Sequence, residues 1–386
     1  MSTGIMYRTG TYRSASPEST RDRILPMLDR FSITRVADIT DLDEIGLPTM
    51  VCYRPDSKTI TVSIGTGIER TQAFVSAVME AIEIWHLEYA ELPVAETGPA
   101  NALGIGYDVR ALSLAANSPV TSRTPLDWVA GRGLLTGTPK LAPAAALRLG
   151  LTSSRSWVHA YFNVSSNGTA AGNTLAEATL HAMFEVIERG CVAQYIASDE
   201  QNCQHVNPES ASSPATARIV AAIASAGCSF ETLRLDNSYG LPCYAATIWS
   251  ADVPIQCSGF GCHVDPEIAF GRAVAEAAQS RLATISGARD DIADYLYRPS
   301  ADFSYDSRSA TVAIADGTAA ARFDGIEDVL AYCARGVRDV TGFEPFTIDL
   351  TQPGIDIPVS AVIAPAVPVC DFGMYHANRF PPPSPG

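Results

Sequence analysis

Five glutamates and a histidine fall at spacings that let them act together. Glu177, His181, Glu185 and Glu188 stand at i, i+4, i+8 and i+11. On a helix turning 100° per residue they lie within about 80° of one another. Leu175, Leu180, Met183, Phe184, Val186, Ile187, Cys191 and Val192 cover nearly all the remaining circumference, so the pattern predicts a buried helix. Ionised carboxylates on such a helix repel one another and lose hydration, at several kcal/mol per unpaired ion. Protonation, arginine partners or divalent cations must compensate. A second group, Ser76, Glu80 and Glu83, falls within about 60° on another predicted helix. Phe74, Val75, Val78, Ile82 and Trp85 take its opposite side. Alone, that helix reads as an ordinary amphipathic one with a solvated polar face. Packed beside the first, it completes a hard, oxygen-rich site of the kind that magnesium shares with phosphates and water.

Other side chains gain meaning from this stripe. Asn173 lies four residues before Glu177 and beside Gly172, where it fits a helix N-cap and also a neutral oxygen for a cation. Arg189 follows Glu188 directly, and Arg281 and Arg289 lie farther on; each suits a phosphate oxygen or a surface ion pair. Only Lys58 and Lys140 are lysines among 27 cationic side chains, so a bound anion would be held mainly by guanidinium forks and backbone amides.

The elements that position these residues recur. Residues 77–83 read Ala-Val-Met-Glu-Ala-Ile-Glu, residues 182–188 Ala-Met-Phe-Glu-Val-Ile-Glu, and residues 273–279 Ala-Val-Ala-Glu-Ala-Ala-Gln. Glu80, Glu185 and Glu276 correspond, as do Glu83, Glu188 and Gln279. The first two copies extend at a constant offset, with Gly67, Gln72, Ala73 and Ser76 matching Gly172, Glu177, Ala178 and His181. A strand-like run precedes each copy, at Thr59–Ile64, Trp157–Val164 and Ala245–Cys257. Strand candidates Met50–Tyr53, Ser229–Leu235 and Val359–Ala364, with helix candidates Arg21–Phe31, Pro214–Ala226 and Gly325–Val340, complete an α/β, mixed α+β reading. The expected organisation is one intertwined domain over 1–375. It comprises an N-terminal segment 1–48, repeat units near 59–92, 157–196 and 245–291, and then a proline-rich tail, 376–386.

Composition removes several classes. The 386 residues carry a net charge of −15 and no long basic tract, which speaks against nucleic-acid and anionic-membrane binding. No apolar run reaches the length of a membrane span and no apolar signal segment opens the chain, so a cytoplasmic setting is expected. Nine cysteines without a Cys-x-x-Cys pair read as free thiols.

The three motifs together resemble the YcaO family, ATP-using enzymes that modify peptide backbones. Ser-x3-Glu-x2-Glu is Ser76, Glu80 and Glu83. Asn-x3-Glu-x7-Glu-x2-Glu-Arg is Asn173, Glu177, Glu185, Glu188 and Arg189. The third motif appears as Glu276, Gln279 and Arg281, followed by Arg289-Asp290-Asp291. The resemblance implies a YcaO-type fold around an acidic site for ATP and Mg2+. In it Glu80, Glu83, Asn173, Glu177, Glu185 and Glu188 hold magnesium, and Ser76, Arg189, Gln279, Arg281 and Arg289 contact ATP. Arg13 and Ser16 are implied as N-terminal nucleotide contacts. Two positions depart from the family: the turn is Gly65-Thr66-Gly67, without a lysine, and Ile84 stands where an arginine often follows the first motif.

The implied activity is an ATP-dependent cyclodehydratase that forms thiazoline or oxazoline rings in a ribosomally made precursor peptide. A thioamide- or amidine-forming enzyme and a non-catalytic peptide-binding scaffold are the rival readings. His181 and the Gly386 carboxylate are candidate proton carriers. A separate leader-binding subunit is the expected partner, and a homodimer is open. Pro381, Pro383 and Pro385 form Pro-x-Pro-x-Pro just before Gly386, a stiff polyproline segment that in ring-forming members lies near the active site. Removal of residues 381–386 is therefore expected to cut ring formation, read by peptide mass, far more than ATP binding, read by calorimetry. Equal ring formation after truncation would leave the tail without that role.

Overall fold

The computed structural model describes residues 11–150, 161–198, 201–289, 312–315 and 323–369, with Tyr7–Arg8, Tyr297 and Pro299. A short hairpin, β1 (Tyr7–Arg8) and β2 (Thr11–Tyr12), leads into α1 (Pro17–Ile24). Then β3 (Arg35–Asp38), β4 (Thr49–Tyr53) and β5 (Val62–Thr66) form an antiparallel sheet, followed by α2 (Arg70–Tyr89). Next come β6 (Val94–Pro99), the single turn α3 (Ala100–Leu103), β7 (Pro125–Gly133) and β8 (Pro139–Pro143). After β9 (Thr169–Ala171) the chain enters α4 (Leu175–Ala197), β10 (Cys203–His205) and α5 (Pro214–Ser225). It continues through β11 (Ser229–Leu235), β12 (Cys243–Trp249), β13 (Cys257–Cys262) and α6 (Pro266–Ser286). It closes with α7 (Ile326–Thr341), β14 (Phe346–Asp349) and β15 (Val359–Ile363). One sheet runs β10-β11-β12-β13, another β6-β7-β14-β15-β9 with β8 beside β7. The named strand pairs are antiparallel, and the fold is mixed α+β. No helix among the described residues is long and apolar enough to cross a membrane.

Three helices bury their apolar stripes on different partners. Val78, Ile82 and Leu87 of α2 pack on Phe346, Ile348 and Val359 of β14 and β15. Leu180, Met183, Phe184 and Ile187 of α4 meet Val329, Cys333 and Val337 of α7 and Leu233, Cys243 and Phe260 of the four-stranded sheet. Phe270, Val274 and Ala277 of α6 meet Ile219 and Ile223 of α5 and Tyr244 and Ile248 of β12. Each large side chain so buried is worth about 1.5–3 kcal/mol, and α4 is buried as its sequence predicts.

The strand-turn-helix unit occurs three times, as β5-α2, β9-α4 and β13-α6. Its strand and helix touch backbone to backbone. A Cβ on Gly65 would sit 2.1 Å from the amide nitrogen of Ala77, and one on Gly261 would sit 2.1 Å from the carbonyl oxygen of Ala269. Only glycine fits at these positions.

Three expected elements differ. The strand of the second unit is β9, not Trp157–Val164. Residues 157–160 lie outside the described residues, and 161–164 carry only an isolated bridge from Phe162 to Leu114. Phe162 is spent on a separate core with Trp128 and Val109. The run Ala245–Cys257 splits into the hairpin β12–β13, because Asp252 and Pro254 turn the chain. The helix expected over Arg21–Phe31 is α1, which ends at Ile24, followed by a 3-10 turn over Leu25–Phe31. Pro26 cannot supply the amide that an α-helix needs there.

A buried ion pair fixes the far end of α2. Arg54 donates from Nη2 to Glu88 Oε2 at 2.9 Å, from Nε to the Phe31 carbonyl at 3.0 Å and from Nη1 to the Ala81 carbonyl at 3.2 Å. The two side chains are 2% and 0% exposed. Glu88 also accepts from Ser57 Oγ and the Thr59 amide, both at 2.8 Å. Glu88→Ala strands a buried guanidinium and is expected to cost about 3–5 kcal/mol in urea unfolding. A loss under about 1 kcal/mol would show that the two carbonyls suffice for Arg54.

Candidate functional site

The equivalent glutamates of the three units share one tether. Glu80 Oε2 accepts the Ile64 amide at 3.1 Å, Glu185 Oε2 the Gly168 amide at 3.1 Å, and Glu276 Oε2 the Phe260 amide at 2.8 Å. In each case the donor lies in or just before the unit's own strand. The second position of the first and third motifs reaches instead to a neighbouring unit. Glu83 Oε1 accepts the Ala171 amide of β9 at 2.7 Å, and Gln279 Oε1 accepts Thr66 Oγ1 of β5 at 3.0 Å. Thr66, Ala171 and Cys262 are equivalent positions, and Glu188 is among the charges acting on the Cys262 thiol. Hydrogen bonds thus join the first unit to the second and the third to the first, and the acidic faces are drawn together.

The electrostatics record this convergence. Burial pushes Glu83 well above the usual carboxylate range, and although the Ala171 amide opposes this, Glu185 and Glu80 add to it. Glu185 is also raised, by burial and then by Glu188, against the pull of Arg189. Burial and the charge of Glu188 push Glu276 up to about 7. Arg189 is the nearest counter-charge: Nη1 lies 2.9 Å from Glu188, Nη2 lies 3.4 Å from Glu185, and Nε donates to Asn167 Oδ1 at 3.2 Å. Arg13 and Arg272 also act on these carboxyls without cancelling the rise.

At the other end of α4 a cleft is lined by Tyr12, Arg13, Glu177, His181, Phe184 and His263, with Leu180 and Ile326. Burial, with the cations of Arg13 and Arg272, holds both His181 and His263 well below the usual imidazole range, so both are neutral. His263 Nδ1 accepts the Asp265 amide at 2.9 Å, which leaves the ring proton on Nε2. Glu177 differs from its neighbours. Burial alone would raise it, but Arg13, Ser14 and Asn173 outweigh burial and hold it below the usual range.

Other expected residues are more scattered. Ser76 is exposed on α2, one turn before Glu80. Ser16 caps α1 by accepting the Ser19 amide at 3.2 Å. Thr174, not Asn173, caps α4, accepting the Glu177 amide at 3.1 Å. Arg281 is 2% exposed and is committed to Asp43, at 3.1 Å, and to Ser250 Oγ, at 2.7 Å; the structure places it in a core ion pair. Arg289 follows the end of α6, half-buried. Asp290, Asp291, Pro381, Pro383, Pro385 and Gly386 lie outside the described residues. Arg272 and His263 were missed. Arg272 acts on Arg13, His181, Glu185, His263 and Glu276. It occupies the third-unit position equivalent to Ser76 and His181, so extending the third repeat upstream by one residue reaches it.

The donor set suits a hard divalent cation: carboxylates from α2, α4 and α6, raised by burial and then by one another, gain by its charge. Among the described residues no three His, Cys, Asp or Glu side chains converge as a ready-made metal cage. Magnesium takes one or two carboxylates and completes its shell with water and phosphate.

A family model described as YcaO cyclodehydratase, ATP- and Mg2+-binding, matches residues 64–367. The chain belongs to the YcaO family. An uncharacterized protein of Mycobacterium tuberculosis is 35% identical over 379 residues, covering 95% of this chain and 84% of that one. The YcaO structure from Methanopyrus kandleri bound with AMPPCP and Mg2+ superposes with a TM-score of 0.72 at 21% identity, over 96% of this chain and 97% of that one. A heterocyclase in complex with substrate and cofactor gives 0.76 at 19% identity, over 96% of this chain and 54% of that one. ATP and Mg2+ are the cofactors of the YcaO family.

The raised carboxylates make a stability prediction. A carboxyl whose folded pKa exceeds its unfolded value contributes stability below the unfolded pKa, and loses it as pH rises through the folded one. For Glu276, with a folded value of about 7, the magnesium-free protein should lose up to about 3 kcal/mol between pH 4.5 and 7.5. Glu276→Gln should flatten that part of the profile in urea unfolding. Parallel wild-type and variant profiles would refute the assignment.

Proposed function

We propose that this YcaO protein uses ATP and Mg2+ to activate backbone amides of a ribosomally made precursor peptide, closing thiazoline or oxazoline rings. The observation that carries the reading is the union of three acidic helices whose carboxylates crowd one another beyond their ordinary ionisation. A side-chain thiol or hydroxyl of the peptide attacks the preceding carbonyl carbon. The carbonyl oxygen takes the γ-phosphoryl group of ATP, releasing ADP, and then departs as phosphate as the amide nitrogen gives up its proton and the ring C=N bond forms. The enzyme's part is positioning and charge stabilisation.

In this reading Glu80, Glu83, Glu185 and Glu188 hold magnesium, which neutralises charge on the phosphates. Arg189 and Arg272 lie close enough to the carboxylates to meet phosphate oxygens as guanidinium donors. Gln279 braces Thr66 in the turn that lacks a lysine. His181, kept neutral, can accept the proton of the attacking thiol or hydroxyl. The tail ending at Gly386 belongs to the same proposal through the family resemblance. The likeness to a heterocyclase solved in complex with substrate and cofactor supports ring closure as the reaction class.

The test is incubation of the enzyme with candidate precursor peptides, ATP and Mg2+. Each ring removes about 18 Da from the peptide; an unchanged mass across peptides that bind would refute ring formation. Glu185→Ala and Glu188→Ala should each abolish turnover without lowering apo stability, because deleting one of several like charges relieves repulsion and leaves Arg189 a partner. Near-normal ATPase activity, or outright unfolding, would make the acidic stripe structural.

A further inference from the structure

Three thiols meet behind the acidic helices, where the proposed reaction has no use for them. Cys243 of β12 and Cys262 of β13 stand directly opposite one another in the antiparallel register, so their side chains share one face of the sheet. Cys191 of α4 packs into the same apolar core. The Cys191 and Cys262 thiols both donate to the Cys243 sulfur, and none of the three residues is more than 1% exposed. Cys191 lies three residues beyond Glu188, and the charge of Glu188 acts on all three thiols. Cys262 also holds the place that Thr66 and Ala171 hold in the other units, the positions gripped by Gln279 and Glu83. Burial pushes the thiols of Cys52, Cys257 and Cys333 up to about 12. Cys243 goes the other way, down to about 6, because its two donors outweigh burial.

We propose that Cys243 and Cys262 form a redox modification site, which hydrogen peroxide converts reversibly into a cross-strand disulfide beside Glu188. The Cys243 sulfur attacks a peroxide oxygen, the O–O bond breaks, and a sulfenic acid and water form. The Cys262 sulfur then displaces the hydroxyl from Cys243, and a second water leaves with the remaining thiol proton. Two electrons pass from the sulfurs to peroxide. Opposed residues of an antiparallel pair have Cα atoms about 4.5 or 5.5 Å apart, within the range of about 4.4–6.8 Å that a disulfide spans. The bond therefore closes without a change of register. The described residues hold no metal cage, and the three thiols are free. Their burial selects the oxidant: peroxide is nearly as small as water, whereas glutathione disulfide is too bulky for sulfurs so enclosed. Bonding draws the sulfurs from hydrogen-bond contact to about 2.0 Å and takes from Cys191 its acceptor. Both changes fall at the junction of the second and third units, so oxidation slows any reaction that depends on Glu188.

The test treats the folded, full-length protein with hydrogen peroxide, blocks the remaining thiols by alkylation and maps the digest by mass spectrometry. The expected result is a loss of about 2 Da carried by a linked Cys243–Cys262 peptide, and dithiothreitol should reverse it. Glutathione disulfide at the same concentration should leave the pair reduced. Peroxide should slow Mg2+-dependent ATP hydrolysis at least about threefold in the wild type, reversibly, and should leave the rate of Cys243→Ala unchanged. If Cys243→Ala does not fold, Cys262→Ala must lose the reversible slowing in its place. Cys191→Ala, outside the bonded pair, must still form the link. Absence of any link, a Cys191–Cys243 link or oxidation of Cys243 to sulfinic acid in the wild type would overturn the site. Reaction with glutathione disulfide would overturn the selection by burial. Unchanged hydrolysis in the linked protein would overturn the coupling to Glu188. If the untreated wild type hydrolyses no ATP, the ATP reading fails, and the mapping still decides the disulfide.

Discussion

Repulsion among buried carboxylates is the constraint on which this molecule is organised. Three helices bring Glu80, Glu83, Glu185, Glu188 and Glu276 into one another's field, and the apolar stripes beneath them are too well packed to let them part. Local tethers from Ile64, Gly168 and Phe260 hold the glutamates in place without neutralising them. An amide dipole lowers the cost of one oxygen, but it brings no net charge. The fold thus reserves a place for positive charge that, among the described residues, Arg13, Arg189 and Arg272 begin to fill.

The same helix face supports two electrostatic states. Glu177 and Glu185 lie two turns apart on α4, both largely enclosed. One is held below the ordinary carboxylate range and the other above it. Burial does not decide between them, since it raises both. The difference is the company each keeps: donors from the N-terminal strap around Glu177, further acids around Glu185. A stripe that looks uniform along the sequence is divided by a segment more than 150 residues away in the chain.

That division marks the limit of what the sequence made legible. The repeat of short motifs revealed the three units, the buried character of α4 and the acids that converge, because helical spacing and apolar patterning are local properties. The strand β9 escaped because Thr169–Ala171 is three small residues with no alternating pattern, held by pairing with β15. Trp157–Val164 has the right composition but not the pairing. Arg281 matches the family's third motif, yet its guanidinium is claimed by Asp43 from a loop 238 residues earlier, a partner no spacing rule exposes. Arg272 was legible in principle, since the repeat alignment reaches it. Ser14 and Thr20 were not, because an ordinary serine or threonine near a terminus carries no sign of what it will hold.

The hydrogen bond from Thr66 to Gln279 joins residues 213 apart, and this has a consequence for how the protein is made. The ring of three units cannot close until the last has left the ribosome, roughly 10–40 s after the first at ordinary rates of synthesis. Until then Glu83 can already meet the Ala171 amide of the second unit, but Glu276, Gln279 and Arg272 are missing from the cluster. Completion of the third unit is therefore the event that completes the charged chamber. A chain that stalls before α6 lacks the third acidic helix and the guanidinium that α6 brings to the site.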